Sequence, residues 1–305
     1  MSPEDYLRQF HPLKVFDAKL GISASIDVKN YISGMPDSGQ TEYNKISGLI
    51  AGRYFGSKHW SVSDLIKQTQ PFCIKGAEGI DPTEQWTIGS IRRAFGGRAS
   101  PEEMMDGLRL AVLTGRCKAS EVATYGAKHM GLDCNAFVGN WLGVSPSTSI
   151  AAYAHGYGKK TPKGATADVL VTKDIIHLPP VTDPAKIQQG TVLATFSKLG
   201  GTGSSNYRHI ALVQSCVPVA GGKYKAELCE WGGAGGFEAH KATATFALTT
   251  AKKLDGIPET MIPGKDTLAY QTKWGGHNAF RVFLDSTSLD YLASRGWEVG
   301  GLYGT

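Results

Sequence analysis

The chain has 305 residues, a formal charge of +5 at pH 7, 41% hydrophobic residues and 10% aromatic residues. This length suits one large domain or two domains of about 150 residues, and the composition predicts a hydrophobic core rather than disorder. The modest positive charge would suit an anionic partner. Lysine and arginine are scattered along the chain, however, so nucleic-acid binding is not predicted. The five cysteines lack Cys-x-x-Cys spacing, which argues for reduced thiols and against a disulfide framework or a zinc knuckle.

No apolar run approaches the roughly 20 residues that span a membrane. Residues 1–14 contain acidic side chains early and lack the apolar region of a signal peptide. We therefore expect no membrane span and synthesis in the cytoplasm without a Sec signal. If the protein acts outside the cell, we expect export by a non-Sec route or delivery by a phage.

Helix-capping patterns are the clearest local signals in the first half of the chain. Asp-Pro-Thr-Glu at 81–84 predicts a helix through about Phe95, and Ser-Pro-Glu-Glu at 100–103 predicts a helix that ends at Gly115. Ser120 and Glu121 begin a further helix that runs to about residue 130. No catalytic pattern precedes residue 117.

A later helix carries the cysteine of most interest. Asp133 is a good N-cap residue, and the apolar residues after it recur at helical spacing until Gly143. Cys134 would therefore lie in the first turn, where unpaired N–H groups and the helix dipole favour a thiolate over a thiol. A cysteine nucleophile needs such an environment, although free cysteines in helices are usually small core residues.

After this helix the chain changes character. A connection over 145–167 is rich in Gly, Pro, Ser and Lys, and β-type runs punctuated by Gly and Pro follow it. These runs cover residues 168–178, 190–196, 208–217, 223–231, 242–249 and 279–284. One helix followed by sequential strands predicts an α+β fold with a mainly antiparallel sheet.

A cysteine nucleophile requires a proton acceptor and a group that orients this acceptor. His209 opens the apolar run Ile-Ala-Leu-Val and is the strongest candidate for the base, the alternative being a histidine satisfied within the core. A hairpin with its turn at 220–222 brings Glu227 and Glu230 alongside His209. Strand alternation places these two glutamates on opposite faces, and the sequence does not choose between them.

Four blocks in this half of the chain carry a resemblance to a known superfamily. Asp-Cys-Asn-Ala-Phe-Val at 133–138 resembles the Asp-Cys-Ser-Gly-Phe-Val block of the NlpC-type cell-wall cysteine peptidases. The segments 187–196 and 208–213 are similar to their following strand and to their Gly-His-Val-Gly-Ile-Tyr block. Glu-Trp-Gly-Gly at 230–233 is more similar to the polar block of the related CHAP amidases. The blocks occur in family order and cover about half of the chain, from 119 to 250.

The resemblance implies a papain-like core in which the cysteine helix packs on the sheet. Residues 117–305 would form this hydrolase domain, and residues 1–116 an α-rich N-terminal accessory region. Cys134 would be the nucleophile, His209 the general base and later the acid, and Glu230 the residue that orients the imidazole. No metal or cofactor is implied.

Three further residues are candidates for substrate binding. The resemblance implies that Asp133 and Tyr125 help to bind the amine of the substrate, and Trp231 could stack on a sugar or peptide. The alternatives are a simple N-cap for Asp133, core packing for Tyr125 and loop anchoring for Trp231.

The implied activity is a cysteine hydrolase that cleaves amide bonds of peptidoglycan peptides. It would act as a delivered type VI secretion effector or a phage lysin, with a cognate immunity protein or a secretion-system component as partner. Two alternatives remain open because fold analogy does not fix function. One is a papain-like deamidase or acyltransferase effector that modifies a host protein, and the other is a catalytically silent module of a phage or secretion particle.

Overall fold

The computed structural model describes residues 1–32, 37–54, 72–74, 81, 83–144, 146, 178, 181, 183–197, 207–232, 239–247, 269–274 and 277–287. Most of the predicted connection at 145–167 and nearly all of the predicted run at 168–178 lie outside these residues. The described chain forms two compact units. The sheet unit contains Met1–Tyr6 and the described residues from Phe137 onward, and the mixed unit contains Leu7–Ala136. The predicted boundary between 116 and 117 falls inside the mixed unit.

Helices and strands alternate in the mixed unit, and strands dominate the sheet unit. The helices are α1 (Pro3–Arg8), α2 (Asp37–Tyr54), α3 (Ile88–Phe95), α4 (Pro101–Leu113), α5 (Val122–His129) and α6 (Cys134–Leu142). The strands are β1 (Leu13–Asp17), β2 (Ile22–Ile26), β3 (Asn30–Tyr31), β4 (Phe72–Cys73), β5 (Gln85–Trp86), β6 (Gly131–Leu132), β7 (Val192–Phe196), β8 (Tyr207–Val219), β9 (Lys223–Trp231), β10 (Ala239–Ala247), β11 (Ala269–Trp274) and β12 (His277–Leu284). None of these helices combines the length and the apolar character needed to cross a membrane.

A six-stranded sheet forms the centre of the sheet unit. Its strand order is β10-β9-β8-β7-β12-β11, and every neighbouring pair is antiparallel. The prediction of an α+β fold with a mainly antiparallel sheet is therefore confirmed. Leu193, Val213, Leu228, Phe246 and Phe283 pack together on one face of this sheet and bury its apolar residues. The edge strand β11 was not predicted from the sequence, because half of its residues are polar and it shows no apolar run.

The hairpin between β8 and β9 forms where its turn was predicted. Gly221 and Gly222 have φ angles of 76° and 68°, which residues with a side chain rarely adopt. In β8 the register shifts between Val213 and Ser215, so that Gln214 is the extra residue of a β-bulge. The bulge lies in the long strand that also carries the candidate base.

Local capping explains where the helices of the mixed unit begin. At α4, Ser100 and Glu103 form the predicted capping box. The helix expected from residue 81 ends at Phe95 as predicted but begins only at Ile88, so its predicted start was wrong. The carboxylate of Asp81 accepts hydrogen bonds from Thr83 and forms a turn, and Thr87 caps the helix by accepting the N–H of Ser90 at 3.0 Å.

The mixed unit also contains structure that the capping patterns did not reveal. The β1–β2 hairpin is fully antiparallel, and two short strand pairs, β3–β6 and β4–β5, accompany the helices. Arg109 on α4 pairs with Asp17 at 2.7 Å and with Glu84, and its guanidinium lies 4.9 Å from the ring centroid of Trp86. The first part of the chain therefore combines its helices with short strands.

Candidate functional site

His209 and Glu230 form a buried pair within the sheet unit. Nε2 of His209 lies 2.9 Å from Oε2 of Glu230, and each side chain is at most 3% exposed. A carboxylate at this distance from a ring nitrogen fixes both the orientation and the tautomer of an imidazole. Of the three catalytic residues predicted from the sequence, these two are brought together.

Strand register explains why Glu230, and not Glu227, reaches the histidine. Leu212 of β8 pairs with Cys229 of β9. Counted along the two strands from this pair, His209 and Glu230 lie diagonally across from each other, on the same face of the sheet. Glu227 lies beyond the bulge on the other face, where its carboxylate accepts the hydroxyl of Ser215 at 3.0 Å in an exposed position. The question that the sequence left open, which glutamate contacts the imidazole, is answered by the register.

Thr195 is the residue of β7 that pairs with His209, and it is also buried. It was not among the residues predicted from the sequence. A threonine in an apolar strand has no distinctive signal, and only the register reveals its position opposite the histidine. Thr195 and Glu230 thus give His209 two polar neighbours in the sheet.

Cys134 occupies the first residue of α6, as predicted. Oδ1 of Asp133 accepts the N–H of Ala136 at 2.7 Å, which is the hydrogen bond expected of an N-cap residue. Gly143, with a φ of 70°, follows the end of the helix. The Cys134 side chain is a free thiol in a buried position, 4% exposed.

Asp133 is one of the most buried charged residues in the mixed unit. Its Oδ2 lies 2.8 Å from the guanidinium of Arg98, and its N–H donates to the carbonyl of Gly97 at 3.1 Å. Burial raises the pKa of Asp133 to about 6, against the opposing effects of Arg98 and of the N–H groups that it caps. The N-cap role is therefore present, whereas its predicted contact with a substrate amine remains a prediction. Arg98 was not found from the sequence, since an arginine 35 positions upstream gives no local signal.

Tyr125 belongs to a hydrogen-bonded cluster in the mixed unit. Its hydroxyl donates to Glu42 at 2.7 Å, and Arg116 makes a two-pronged contact with the same carboxylate. Burial, reinforced by Glu42, raises the pKa of Tyr125 above its usual range. Burial also pushes the pKa of Glu42 upward, but hydrogen bonds from Arg116 and Tyr125 outweigh it and leave the pKa below its ordinary value. The Tyr125 hydroxyl is thus hydrogen-bonded within this cluster, and a contact of Tyr125 with a substrate remains a prediction.

Trp231 is fully buried and contacts helix α6. Its ring centroid lies 6.4 Å from that of Phe137, one helical turn after Cys134. Because Trp231 follows Glu230 in β9, its side chain points to the face opposite His209 and Glu230. In this arrangement the indole packs in the core, and its predicted stacking on a substrate remains a prediction.

The three predicted catalytic residues are divided between the two units. His209 and Glu230 belong to the sheet unit, whereas Cys134 belongs to the mixed unit. The approach of Cys134 to His209 and Glu230 is therefore a prediction that rests on the sequence blocks.

No protein family, curated protein or solved structure matches this chain. The resemblance to cell-wall cysteine peptidases thus rests on the four sequence blocks alone.

Two of the buried cysteines, Cys117 and Cys229, are poorly suited to act as nucleophiles. Burial raises the pKa of the Cys229 thiol to about 12 and that of the Cys117 thiol to about 11, which keeps both protonated at neutral pH. Among the described residues, no group of three His, Cys, Asp or Glu side chains is arranged to hold a metal ion. A buried imidazole–carboxylate pair can hold and move a proton, and a cysteine at a helix start can supply a nucleophilic sulfur.

Proposed function

We propose that this protein is a papain-like cysteine hydrolase that cleaves amide bonds in peptidoglycan peptides. The observation that carries the proposal is the 2.9 Å contact between His209 and Glu230 in a fully buried position. A buried charge or imidazole in a sheet is costly unless it is paired, and a pair oriented in this way is what a general base requires. The ordered sequence blocks supply the nucleophile and the substrate class.

In the proposed reaction Cys134 attacks the carbonyl carbon of the scissile amide. The thiol proton passes to Nδ1 of His209, while Glu230 holds Nε2 and stabilises the imidazolium that forms. The backbone N–H of Cys134 at the helix start donates to the developing oxyanion. The imidazolium then protonates the leaving amine, and water, deprotonated by His209, hydrolyses the thioester and regenerates the thiol.

Digestion of purified sacculi tests this function. Wild-type protein should release new muropeptide fragments that mass spectrometry can map to a single bond. Cys134→Ala and His209→Ala should each lower the release by about 10²-fold or more, because each removes a participant in proton transfer or bond formation. Cys73→Ala is the matched control, since it removes a half-buried thiol outside the proposed site and should leave the fragments unchanged.

A second function is favoured by a specific observation. Cys134 and His209 are 4% and 2% exposed, and Phe137 packs on the sheet face opposite the histidine. Such burial is typical of core residues and fits a catalytically silent module of a phage or secretion particle. Intact sacculi after treatment with the wild-type protein, together with an unmodified panel of host proteins, would support this reading and contradict hydrolysis.

Delivery is part of the proposal. As a secreted effector or within a phage, a cell-wall hydrolase would reach the wall of a target cell, and a cognate immunity protein would protect the producing cell. Co-expression toxicity provides the readout: wild type directed to the periplasm should lyse cells, and Cys134→Ala should not.

A further inference from the structure

A row of polar side chains crosses four neighbouring strands of the six-stranded sheet. Arg281 of β12 pairs with Thr195 of β7, and Thr195 pairs with His209 of β8. Residues directly opposite each other in neighbouring strands share one face of the sheet, so all three lie on the face where His209 contacts Glu230. Every member of this row belongs to the sheet unit.

The row is the polar border of an apolar sheet face. Two residues away along the strands, Phe283 pairs with Leu193 and Leu193 with Ala211, and these three belong to the core cluster. The three inner members of the row are each 2% exposed, whereas Arg281 is half-buried. Arg281 is therefore the member of the row that is most accessible to a ligand.

Arg281 is suited to bind a carboxylate at this border. Its planar guanidinium presents N–H donors in a fork that matches the two oxygens of a carboxylate. Apolar neighbours lower the local dielectric constant, which strengthens a charged hydrogen bond. Thr195 is the next member of the row, and its hydroxyl can donate to an oxygen of the same ligand.

The spacing of the row fits the last residue of a peptide. Neighbouring strands lie about 4.8 Å apart, so Arg281 and His209, which are two strands apart, are separated by about 10 Å. The carboxyl carbon and the amide nitrogen of one residue are about 2.5 Å apart. With hydrogen bonds of about 2.8 Å at both ends, such a residue spans about 9 Å between a guanidinium and an imidazole.

We propose that Arg281 binds the free α-carboxylate of the last residue of the substrate peptide, so that the enzyme removes C-terminal residues. This inference rests on the proposed function, because it selects which amide bond lies at His209. The last residue leaves as a free amino acid, whose amine takes the proton of the imidazolium, and water supplies the oxygen of the new carboxylate on the shortened peptide. Arg281 thus determines specificity and does not contact the bond that breaks.

Paired peptides test this specificity without any substitution. A synthetic peptidoglycan stem peptide with a free C-terminal carboxylate is compared with the same peptide ending in an amide. The wild type should remove the last residue of the acid, and its kcat/KM for the amide should be about 100-fold lower, because two charged hydrogen bonds are lost. Equal kcat/KM values, or cleavage of both peptides at the same internal bond, would overturn the inference and leave the proposed function intact.

Substitution of Arg281 assigns the preference to this side chain. Arg281→Met should raise KM for the acid by about 100-fold with little change in kcat, since it removes binding that the ground state and the transition state share. Arg281→Lys keeps the charge without the fork and should be intermediate. Lys225→Met, which removes an exposed cation of β9, is the control and should change neither constant. A preference for the acid that survives in Arg281→Met contradicts the assignment.

A binding measurement separates the inference from the proposed function. Cys134→Ala should bind the stem peptide without cleaving it, so calorimetry can compare the acid with the amide. We expect the acid to bind at least about tenfold more tightly, and Arg281→Met in the same background to abolish the difference. Equal affinities contradict the inference alone. If the wild type cleaves neither peptide, the proposed function fails, and the inference fails with it.

Discussion

At the scale of single residues, the His209–Glu230 pair is the most informative feature. Both side chains are inaccessible to water, and they lie 2.9 Å apart. In a buried pair, each member offsets the desolvation of the other. Removal of one member therefore lowers the free energy of unfolding far more than the loss of an exposed contact does. The pair is therefore both a stability element and the candidate proton-transfer element.

Replacement of Glu230 by alanine should lower the free energy of unfolding by about 3 kcal/mol, because the imidazole loses its carboxylate partner in the core. Glu227→Ala is the matched control. This glutamate of the same strand is exposed and accepts a hydrogen bond from Ser215, so its loss should lower the free energy of unfolding by no more than about 0.5 kcal/mol. Urea denaturation of the two variants measures both values. Equal costs would contradict the assignment of Glu230 to the buried pair.

Asp133 makes stability depend on pH. Its pKa rises from 3.8 to about 6 on burial, so the folded protein binds this proton more tightly than the unfolded chain. The contribution of Asp133 to the free energy of unfolding should then be largest below about pH 4. Between pH 4 and about pH 6 this contribution should decline by about 2–3 kcal/mol in total. Above pH 6 it should change little.

The comparison of wild type with Asp133→Asn isolates this effect, since asparagine also caps helices. The difference in free energy of unfolding, wild type minus variant, should become less favourable to the wild type between pH 4 and pH 7. Parallel stability profiles for wild type and Asp133→Asn would refute a raised pKa at this residue.

At the scale of helices and strands, close approach of α3 and α4 depends on a glycine. A Cβ atom at Gly107 would lie 2.8 Å from the Cβ of Ala94, which has no rotamer to move away. Gly107→Ala should therefore destabilise the fold by about 1–3 kcal/mol in spite of the better helix propensity of alanine. Thermal or urea denaturation measures the change.

Gly48 on α2 provides the control for this helix substitution. A Cβ at Gly48 would meet no atom within 4 Å, so Gly48→Ala should raise the free energy of unfolding by up to about 1 kcal/mol. Equal stabilisation by Gly107→Ala and Gly48→Ala would contradict the close packing of α3 on α4 at Gly107.

Sequence patterns predicted the elements whose signals are local. The capping box at Ser100, the cap at Asp133 and the Gly221-Gly222 turn all form as expected, since each depends on neighbours within a few residues. The start of α3 was mispredicted, because the carboxylate of Asp81 makes a turn of its own instead of capping a helix. Contacts between distant segments, such as Arg98 with Asp133, have no local signature and could not be read from the chain.

The candidate site was predictable in part, because strand alternation is also a local signal. Alternation along β9 limited the partner of His209 to one of two glutamates, and the register then selected Glu230. The bulge at Gln214 shifts alternation by one residue, and nothing in the sequence locates it. The contact between Glu4 of α1 and Gln214 of β8 joins segments far apart in the chain and likewise has no local signal in the sequence.

At the scale of the whole molecule, the chain divides after Ala136, within the helix that begins at Cys134. The proposed nucleophile belongs to one unit, and the proposed base with its glutamate to the other. The proposed chemistry thus requires that the units cooperate, and a test must report on the sulfur and the imidazole together.

Alkylation kinetics of the individual cysteines provide that test most directly. With iodoacetamide at neutral pH, we expect Cys134 to react at least about tenfold faster than Cys117 and Cys229, whose raised pKa values keep them protonated. His209→Ala should slow Cys134 by about tenfold and leave the rate at Cys73 unchanged. A Cys134 that reacts no faster than the buried thiols, or at a rate indifferent to His209, would contradict the account.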